Sequence, residues 1–442
     1  MSEKKFANVK TAIPGPKSAA LLQRWHRAEA DTTGFQAPVV WDSASGVVIT
    51  DVDGNSYLDW TSGVLVTNVG HCHPKLVAAV QQAVAKLINS YECPTEARIK
   101  AAEALVAHLP KHLDKCFFMT TGSEATESCT RIMKRKTGCF EIIGVHGGFH
   151  GRTYAAASAG GLSGPKRGYG PTMPGVIRVP YPYAYRSPVG SEPGKMIDYY
   201  MTLLEDEVRA NSTGALAGLI VEPYLGAAGF IFPPKGYLTE IEKWCRAKGI
   251  LFTLDEVQSS YGRTGRMWAM EWENLTPDLV SIGKGIGNGI PTSAVAARGD
   301  VIACLGKGEM SSTVGGNPVS STAVSTILEI MDEEKLVDNS LRMGKFFMDK
   351  LLKLQEKSRY IGEVRGRGLI IGVELVKDKK TKEPAADLAK QLICRCAENG
   401  LIIGSVGIYG NVIRVAPPLV VNEAQAMESI EIFEKSILSL ES

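Results

Sequence analysis

ILFTLDEVQ at residues 250–258 and LVSIGKGIGNG at residues 279–289 decide how this chain is read. Each opens as a short apolar run, Ile250–Leu254 and Leu279–Ile282, and ends abruptly in residues that carry chemistry. A short apolar run without polar alternation is how a strand buried on both faces of a parallel sheet reads. Four more runs share that form: Phe117–Met119, Ile142–Val145, Leu219–Val221 and Ala294–Ala297. Between them lie amphipathic stretches such as Tyr237–Lys248, whose Leu238, Ile241, Trp244 and Cys245 recur at helical spacing. The alternation predicts an α/β core.

The flanks differ. VVITDVDGNSYLDW alternates apolar and polar residues around Asp53-Gly54, which predicts a type I′ hairpin and a small antiparallel sheet near the N-terminus. Val319–Glu329 reads as a long helix, Val364–Leu375 and Val412–Val415 as strands, and Pro384–Asn399 and Ala424–Leu440 as helices. The expected division is an N-terminal segment over 1–65 that joins the small domain, a large domain over 66–325 and a smaller α+β domain over 326–442.

Composition narrows the function. Of 442 residues, 49 are basic and 47 acidic, a net charge of +2 that encodes no polyanion-binding surface. Nucleic acid is not an expected partner. The opening MSEKKFANVKTAIPGPKSAA has no apolar segment behind its lysines, and no long apolar run follows, so no membrane partner is expected and a cytoplasmic address is. Nine cysteines, from Cys72 to Cys396, lack paired CxxC spacing and read as reduced thiols.

In open α/β sheets ligands bind at the carboxyl ends of the strands, so the residues just after each apolar run matter most. After Met119 comes TTGSEA, where Gly122 permits a close turn and Ser123 begins a helix whose free N–H groups suit a phosphate. A plain serine cap with Glu124 in the first turn explains the same letters. After Val145 comes HGGFHGRTY, a glycine-rich loop that offers Phe149 for stacking on a ring. His146 and His150 are spaced as metal ligands on a helix, but Gly147 and Gly148 between them make a helix improbable, and His150 is as readily a hydrogen-bonded loop histidine.

Asp255 ends the Ile250–Leu254 run, where a desolvated carboxylate needs a cationic partner. A protonated pyridine nitrogen is one such partner, and Gln258 can reach a ring hydroxyl on the same side. A helix cap or a structural ion pair is the competing reading. Lys284 sits between Gly283 and Gly285, open to close approach by a substrate, and a lysine desolvated at such a place becomes a nucleophile. A nucleotide-phosphate loop fails here, because Gly285 rather than Ser or Thr follows the lysine.

LDEVQSSYGRTGRMWAME followed by PDLVSIGKGIGNGIP resembles the signature of class III (omega-amino acid) aminotransferases, fold-type-I enzymes that use pyridoxal 5′-phosphate (PLP). Supporting pieces span nearly the whole chain: GHCHP at 70–74, TTGSEA at 120–125, GGFHGRT at 147–153, VEP at 221–223, GGNP at 315–318, VRGRGLIIGVEL at 364–375 and IRVAPPL at 413–419. The resemblance implies a mostly parallel seven-stranded sheet and a homodimer or a dimer of dimers. It implies that Lys284 holds PLP as a Schiff base and shuttles the substrate proton, that Asp255 pairs with the ring nitrogen, and that Gln258 bonds the ring oxygen. Phe149 and Val257 would sandwich the ring. Gly122 and Ser123 would hold the phosphate, with Thr313 reaching it from the neighbouring subunit.

Arg152 and Arg414 match the carboxylate-binding positions of 4-aminobutyrate aminotransferases, and Glu222, Val64 and Ala227 fall at positions near the substrate. Ala227 stands where those enzymes place a glutamate that pairs with the second arginine, so Arg414 is expected to stay available for a 2-oxo acid such as pyruvate or 2-oxoglutarate. The C-terminal third also resembles dialkylglycine decarboxylase. That enzyme has glutamine, tryptophan and methionine where Val64, Phe149 and Arg152 stand here, which favours a transaminase. An amino-acid racemase or epimerase uses the same lysine. A nicotinamide-dependent oxidoreductase is disfavoured, because GKGIGNG lacks the GxGxxG order after a first strand.

Overall fold

The computed structural model describes residues 5–441; Met1–Lys4, which open the stretch read as carrying no targeting segment, and Ser442 lie outside the described residues. The chain forms two compact units. One comprises 1–74, 263–265 and 336–442, the other 75–262 and 266–335.

In the first unit, β1 (Trp41–Ser45), β2 (Val48–Asp51) and β3 (Ser56–Asp59) form an antiparallel sheet. The hairpin between β2 and β3 is not the two-residue type I′ turn expected. The Gly54 N–H bonds the Asp51 carbonyl at 3.0 Å, and Gly54 has φ of 85° while Asp53 keeps a negative φ, which makes a longer turn closed by a left-handed glycine. Asp51 explains the preference: its carboxylate accepts from the Asp53 and Asn55 N–H groups, the Asn55 amide and the Tyr57 hydroxyl. That leaves Asp53 free to cap the helix Pro16–Ala28 by accepting from the N–H groups of Lys17 and Ser18.

The second unit is built on β4 (Lys115–Met119), β5 (Glu141–Val145), β6 (Val176–Val179), β7 (Leu216–Val221), β8 (Leu251–Asp255), β9 (Leu279–Ile282) and β10 (Ser293–Ala297). They form one seven-stranded sheet in the order β4-β10-β9-β8-β7-β5-β6. Only β10 runs against its neighbours, antiparallel to both β4 and β9. Hence β4, β5, β7, β8 and β9 all present their carboxyl ends at one edge. The helix Gly122–Thr137 packs Ala125, Cys129, Ile132 and Met133 onto Ile142, Ile220, Leu279 and Val295, all buried. Burying each large apolar side chain contributes about 1.5–3 kcal/mol.

The first unit also holds β11 (Ile361–Arg367), β12 (Ile370–Leu375), β13 (Leu401–Ile402), β14 (Gly404–Val406) and β15 (Val412–Val415). β13 adds to β3 in parallel, while the other four form an antiparallel sheet ordered β11-β12-β15-β14. Val364–Leu375 is therefore two strands, not one: the chain reverses at Gly368, whose φ is 55°. A Cβ there would lie 2.4 Å from the Gly265 nitrogen, so the tight reversal requires glycine.

Candidate active site

The strand ends of the seven-stranded sheet surround a cavity of about 190 Å3. After β4 come Gly122 and Ser123; after β5, Phe149, His150 and Gly151; after β7, Glu222 and Ala227. β8 contributes Asp255, followed by Val257 and Gln258, and Lys284 follows β9. β8 and β9 pair so that Asp255 stands opposite Ser281, which fixes Asp255 and the Lys284 turn on adjacent strands.

Asp255 is 4 % exposed and sits in a built environment. Its Oδ2 lies 2.7 Å from His150 Nδ1 and accepts from the Thr126 hydroxyl at 3.5 Å, while its Oδ1 accepts from the Val257 N–H at 3.0 Å. Burial disfavours a charged His150, but the hydrogen bond and charge of Asp255 outweigh it and raise the histidine above its ordinary range. His150 is thus a partner of Asp255. His146, by contrast, is exposed, and among the described residues no group of three His, Cys, Asp or Glu could hold a metal.

Sequence reasoning missed the work of Glu222. Its carboxylate accepts from the Phe149 N–H at 2.9 Å and from the Gly226 N–H at 3.0 Å, tying the loop after β5 to the loop after β7. Burial pushes its pKa up to about 7, Asp255 adding to the shift and His150 opposing it. Glu256 faces away, accepting from the Ser259 hydroxyl and the N–H groups of Ala269 and Met270. No local pattern announces these long-range partners.

The Ser123 ambiguity resolves against a plain cap. Thr121 is the cap, accepting from the Glu124 N–H, and Glu124 returns a bond to the Thr121 N–H. Ser123 lies in the first turn, two residues past the cap, its hydroxyl accepting from the Arg152 N–H at 3.3 Å. A Cβ on Gly151, whose φ is 135°, would fall 2.2 Å from the Ser123 oxygen. Glycine at 151 is what lets the two loops close around the hydroxyl.

Four expected site residues stand elsewhere. Arg152 is exposed and lines a neighbouring cavity, with its guanidinium 5.9 Å from the Phe149 ring centre. Thr313 is exposed on the loop between β10 and the helix Pro318–Glu333 and does not line the cavity of its own chain. Val64 and Arg414 belong to the other unit. Val64 is 44 % exposed in the left-handed region with φ of 68°. Arg414 is 5 % exposed on β15, its Nε is buried without a hydrogen-bond partner, and a Cβ on Gly404 would meet its Nη2 at 2.2 Å. Burial lowers the pKa of this guanidinium, with the charge of Asp59 opposing.

Residues 30–437 match the family model described as Aminotransferase class-III. The chain belongs to the class-III aminotransferases. Among its relatives, an alanine/serine racemase of Pyrococcus horikoshii is 36 % identical over 434 residues, covering 96 % of this chain and 91 % of the relative. A 4-aminobutyrate aminotransferase of Mycobacterium leprae is 34 % identical, covering 96 % of each. A solved (S)-enantioselective omega-transaminase from Thermomicrobium roseum superposes with a TM-score of 0.90 at 27 % identity, covering 96 % of this chain and 99 % of that one. This class-III aminotransferase is accordingly a fold-type-I, PLP-dependent transaminase, and among the described residues no helix is long and apolar enough to cross a membrane.

The cavity fits that cofactor. Gln258 Oε1 is buried without a partner, as is His150 Nε2, so polar capacity remains for a ligand. Gly122 and Gly283 lie against the Val257 side chain, where a Cβ would come within 2.8 and 3.0 Å of it, so the two glycines let Val257 sit closely over the strand ends and line the cavity. A primary amine, a buried carboxylate and a hydroxyl on a helix's first turn are the groups that an aldehyde, a ring nitrogen and a phosphate demand.

Proposed function

We propose that this enzyme transfers the amino group of an omega-amino acid, of the 4-aminobutyrate or beta-alanine type, to a 2-oxo acid such as pyruvate or 2-oxoglutarate. The observation that carries the reading is the pairing of Asp255 and the Lys284 turn on adjacent strand ends over one cavity. Lys284 Nζ anchors the cofactor and, once freed, takes the proton from the amine-bearing carbon of the substrate. When bound, PLP supplies the electron sink for the pair left on that carbon. Asp255, braced by His150, keeps positive charge on the ring nitrogen. Gln258 meets the ring oxygen, Phe149 and Val257 enclose the ring, and Gly122 and Ser123 receive the phosphate.

Arg414 and Arg152 are assigned the substrate carboxylates, Arg414 that of the 2-oxo acid. Ala227 supports this choice, because an alanine at that position carries no anion that could pair with an arginine. Thr313 is assigned to the phosphate of a neighbouring subunit, which requires at least a homodimer; light scattering at assay concentration tests that. A panel of donors against pyruvate and 2-oxoglutarate tests the function. Omega-amino acids should lead the panel, and Ala227→Glu should shift relative efficiency between 4-aminobutyrate and alanine. Unchanged ratios in that variant would remove the basis for assigning Arg414 to the 2-oxo acid.

The identity to an alanine/serine racemase favours a second reading, in which the same lysine system returns the proton to the opposite face of an alpha-carbon. Chiral chromatography of a single alpha-amino acid incubated without any oxo acid separates the two, since only racemisation proceeds.

A further inference from the structure

Glu222, read in the sequence as lying near the substrate, commits both carboxylate oxygens to the chain itself. It follows β7 directly and is 5 % exposed. Its Oε1 accepts from the Phe149 N–H at 2.9 Å and its Oε2 from the Gly226 N–H at 3.0 Å. The carboxylate is thus a fork between two loops, one after β5 and one after β7. Hydrogen bonds to an ionised acceptor are roughly twice as strong as neutral ones.

Each prong of the fork leads to a side chain of the cavity wall. Phe149 lines the cavity itself, and the next residue, His150, is pinned separately, its Nδ1 lying 2.7 Å from Asp255 Oδ2. Two buried carboxylates therefore hold two consecutive residues of that loop. Gly226 leads to Gln258: a Cβ on Gly226 would fall 2.0 Å from Gln258 Oε1 and 2.6 Å from its Cδ, so the Gly226 backbone is the surface on which that amide rests. The Gly226 carbonyl in turn accepts from the N–H groups of Gly229 and Phe230 at 3.1 and 3.2 Å, while Leu225 and Ile231 exchange two backbone bonds. Gly226 is held from both sides, in a closed turn, by its N–H and by its carbonyl.

Resting on the ring contacts assigned above to Phe149 and Gln258, we infer that Glu222 is a positioning residue for the cofactor and not a substrate contact. By gripping the Phe149 and Gly226 N–H groups at once, it sets the side chain that encloses the cofactor ring against the amide that meets the ring oxygen. Asp255 and Gln258 keep step because they share one stretch of chain. Phe149 comes from another strand end, and Glu222 brings it into register with them. Reaction at Lys284 depends on that register, since a misplacement of about 1 Å can cost about a hundredfold in rate.

Wild type, Glu222→Gln and Gly226→Ala would be titrated with PLP under visible circular dichroism, and each holoenzyme then assayed. Glutamine keeps the shape of Glu222 but turns an NH2 group toward one of the two backbone N–H groups. Gly226→Ala enters the same contacts from the far side and meets only the end of a flexible side chain, so it decides the matter should Glu222→Gln not fold. The cofactor is achiral, and its dichroism therefore reports how the cavity wall holds it. Expected in both variants are PLP binding weaker by about tenfold, an altered dichroic band at saturation, and kcat lowered by about tenfold while the donor KM stays within about twofold. Glu222→Gln combined with Gln258→Ala should weaken PLP by less than the product of the single effects. A raised KM with an unchanged band would make Glu222 a substrate contact, and fully multiplicative effects would make it a general stabiliser; either result overturns the inference. Unchanged dichroism in both Phe149→Ala and Gln258→Ala would instead overturn the ring contacts themselves, and the inference with them.

Discussion

His150 Nδ1 and Asp255 Oδ2 lie 2.7 Å apart, 105 residues distant in sequence and both buried. The pair links the loop after β5 to the end of β8. Because Asp255 raises the histidine above the 6.5 of a free imidazole, His150 adds stability that is complete below that value and is lost as pH rises through the raised one. Urea unfolding of cofactor-free wild type and His150→Gln should therefore differ by about 3 kcal/mol in mild acid, with the gap closing toward alkaline pH. A gap that widens with pH would exclude the ion pair.

Gly151 admits no side chain. Gly151→Ala places a Cβ 2.2 Å from the Ser123 oxygen at φ of 135°, so the loop must retreat from the first turn of the helix at 122–137. Overpacking of this kind costs about 1–3 kcal/mol, and PLP affinity should fall by tenfold or more. Gly138→Ala, at φ of 70° in open space, supplies the control: about 1 kcal/mol of stability lost with PLP affinity unchanged, as read by equilibrium dialysis.

Glu256 is fully buried and its pKa rises from 4.5 to about 7, burial being the main cause. The folded state thus holds a proton that the unfolded chain has released, and this residue makes stability fall as pH climbs between those two values. Glu256→Gln should remove that slope, worth about 3 kcal/mol across the window. Chemical denaturation of both proteins at closely spaced pH values measures it; parallel curves would contradict the assignment.

Arg263, in the GRTG segment, is a structural residue of the first unit. Its Nε donates to Asn68 Oδ1 at 2.8 Å and its Nη1 donates to the Pro417 carbonyl, in a site with no exposure. Arg263→Met strands both acceptors and should cost about 3 kcal/mol or more, seen as a lowered Tm.

All six apolar runs read in the sequence became strands, β4, β5, β7, β8, β9 and β10, because all but the edge strand β4 are buried almost throughout and so are mostly apolar. β6 escaped notice. Its Val-Ile-Arg-Val is short and interrupted by Arg178, whose guanidinium is spent on the carbonyls of Ser158 and Gly160. Strand order was not legible in the residues, since pairings such as β4 with β10 join segments far apart in the chain. In the cavity, Asp255, Gln258, Lys284 and Ser123 were legible because position at a strand end is a local property. The partnerships of Glu222 and His150 were not, because their hydrogen bonds cross from one loop to another. Arg152 illustrates the remaining limit: its neighbours in sequence placed it beside Phe149 but not in the lining of the neighbouring cavity.

Lys284 holds φ at 50°, in the left-handed region where a residue with a Cβ gives up about 1 kcal/mol. Glycine would fit this backbone better, and only the amine justifies a side chain there. An inactive Lys284→Gly protein should outlast Lys284→Ala in thermal denaturation, which makes alanine the poorer blank for experiments that compare the enzyme with and without its lysine.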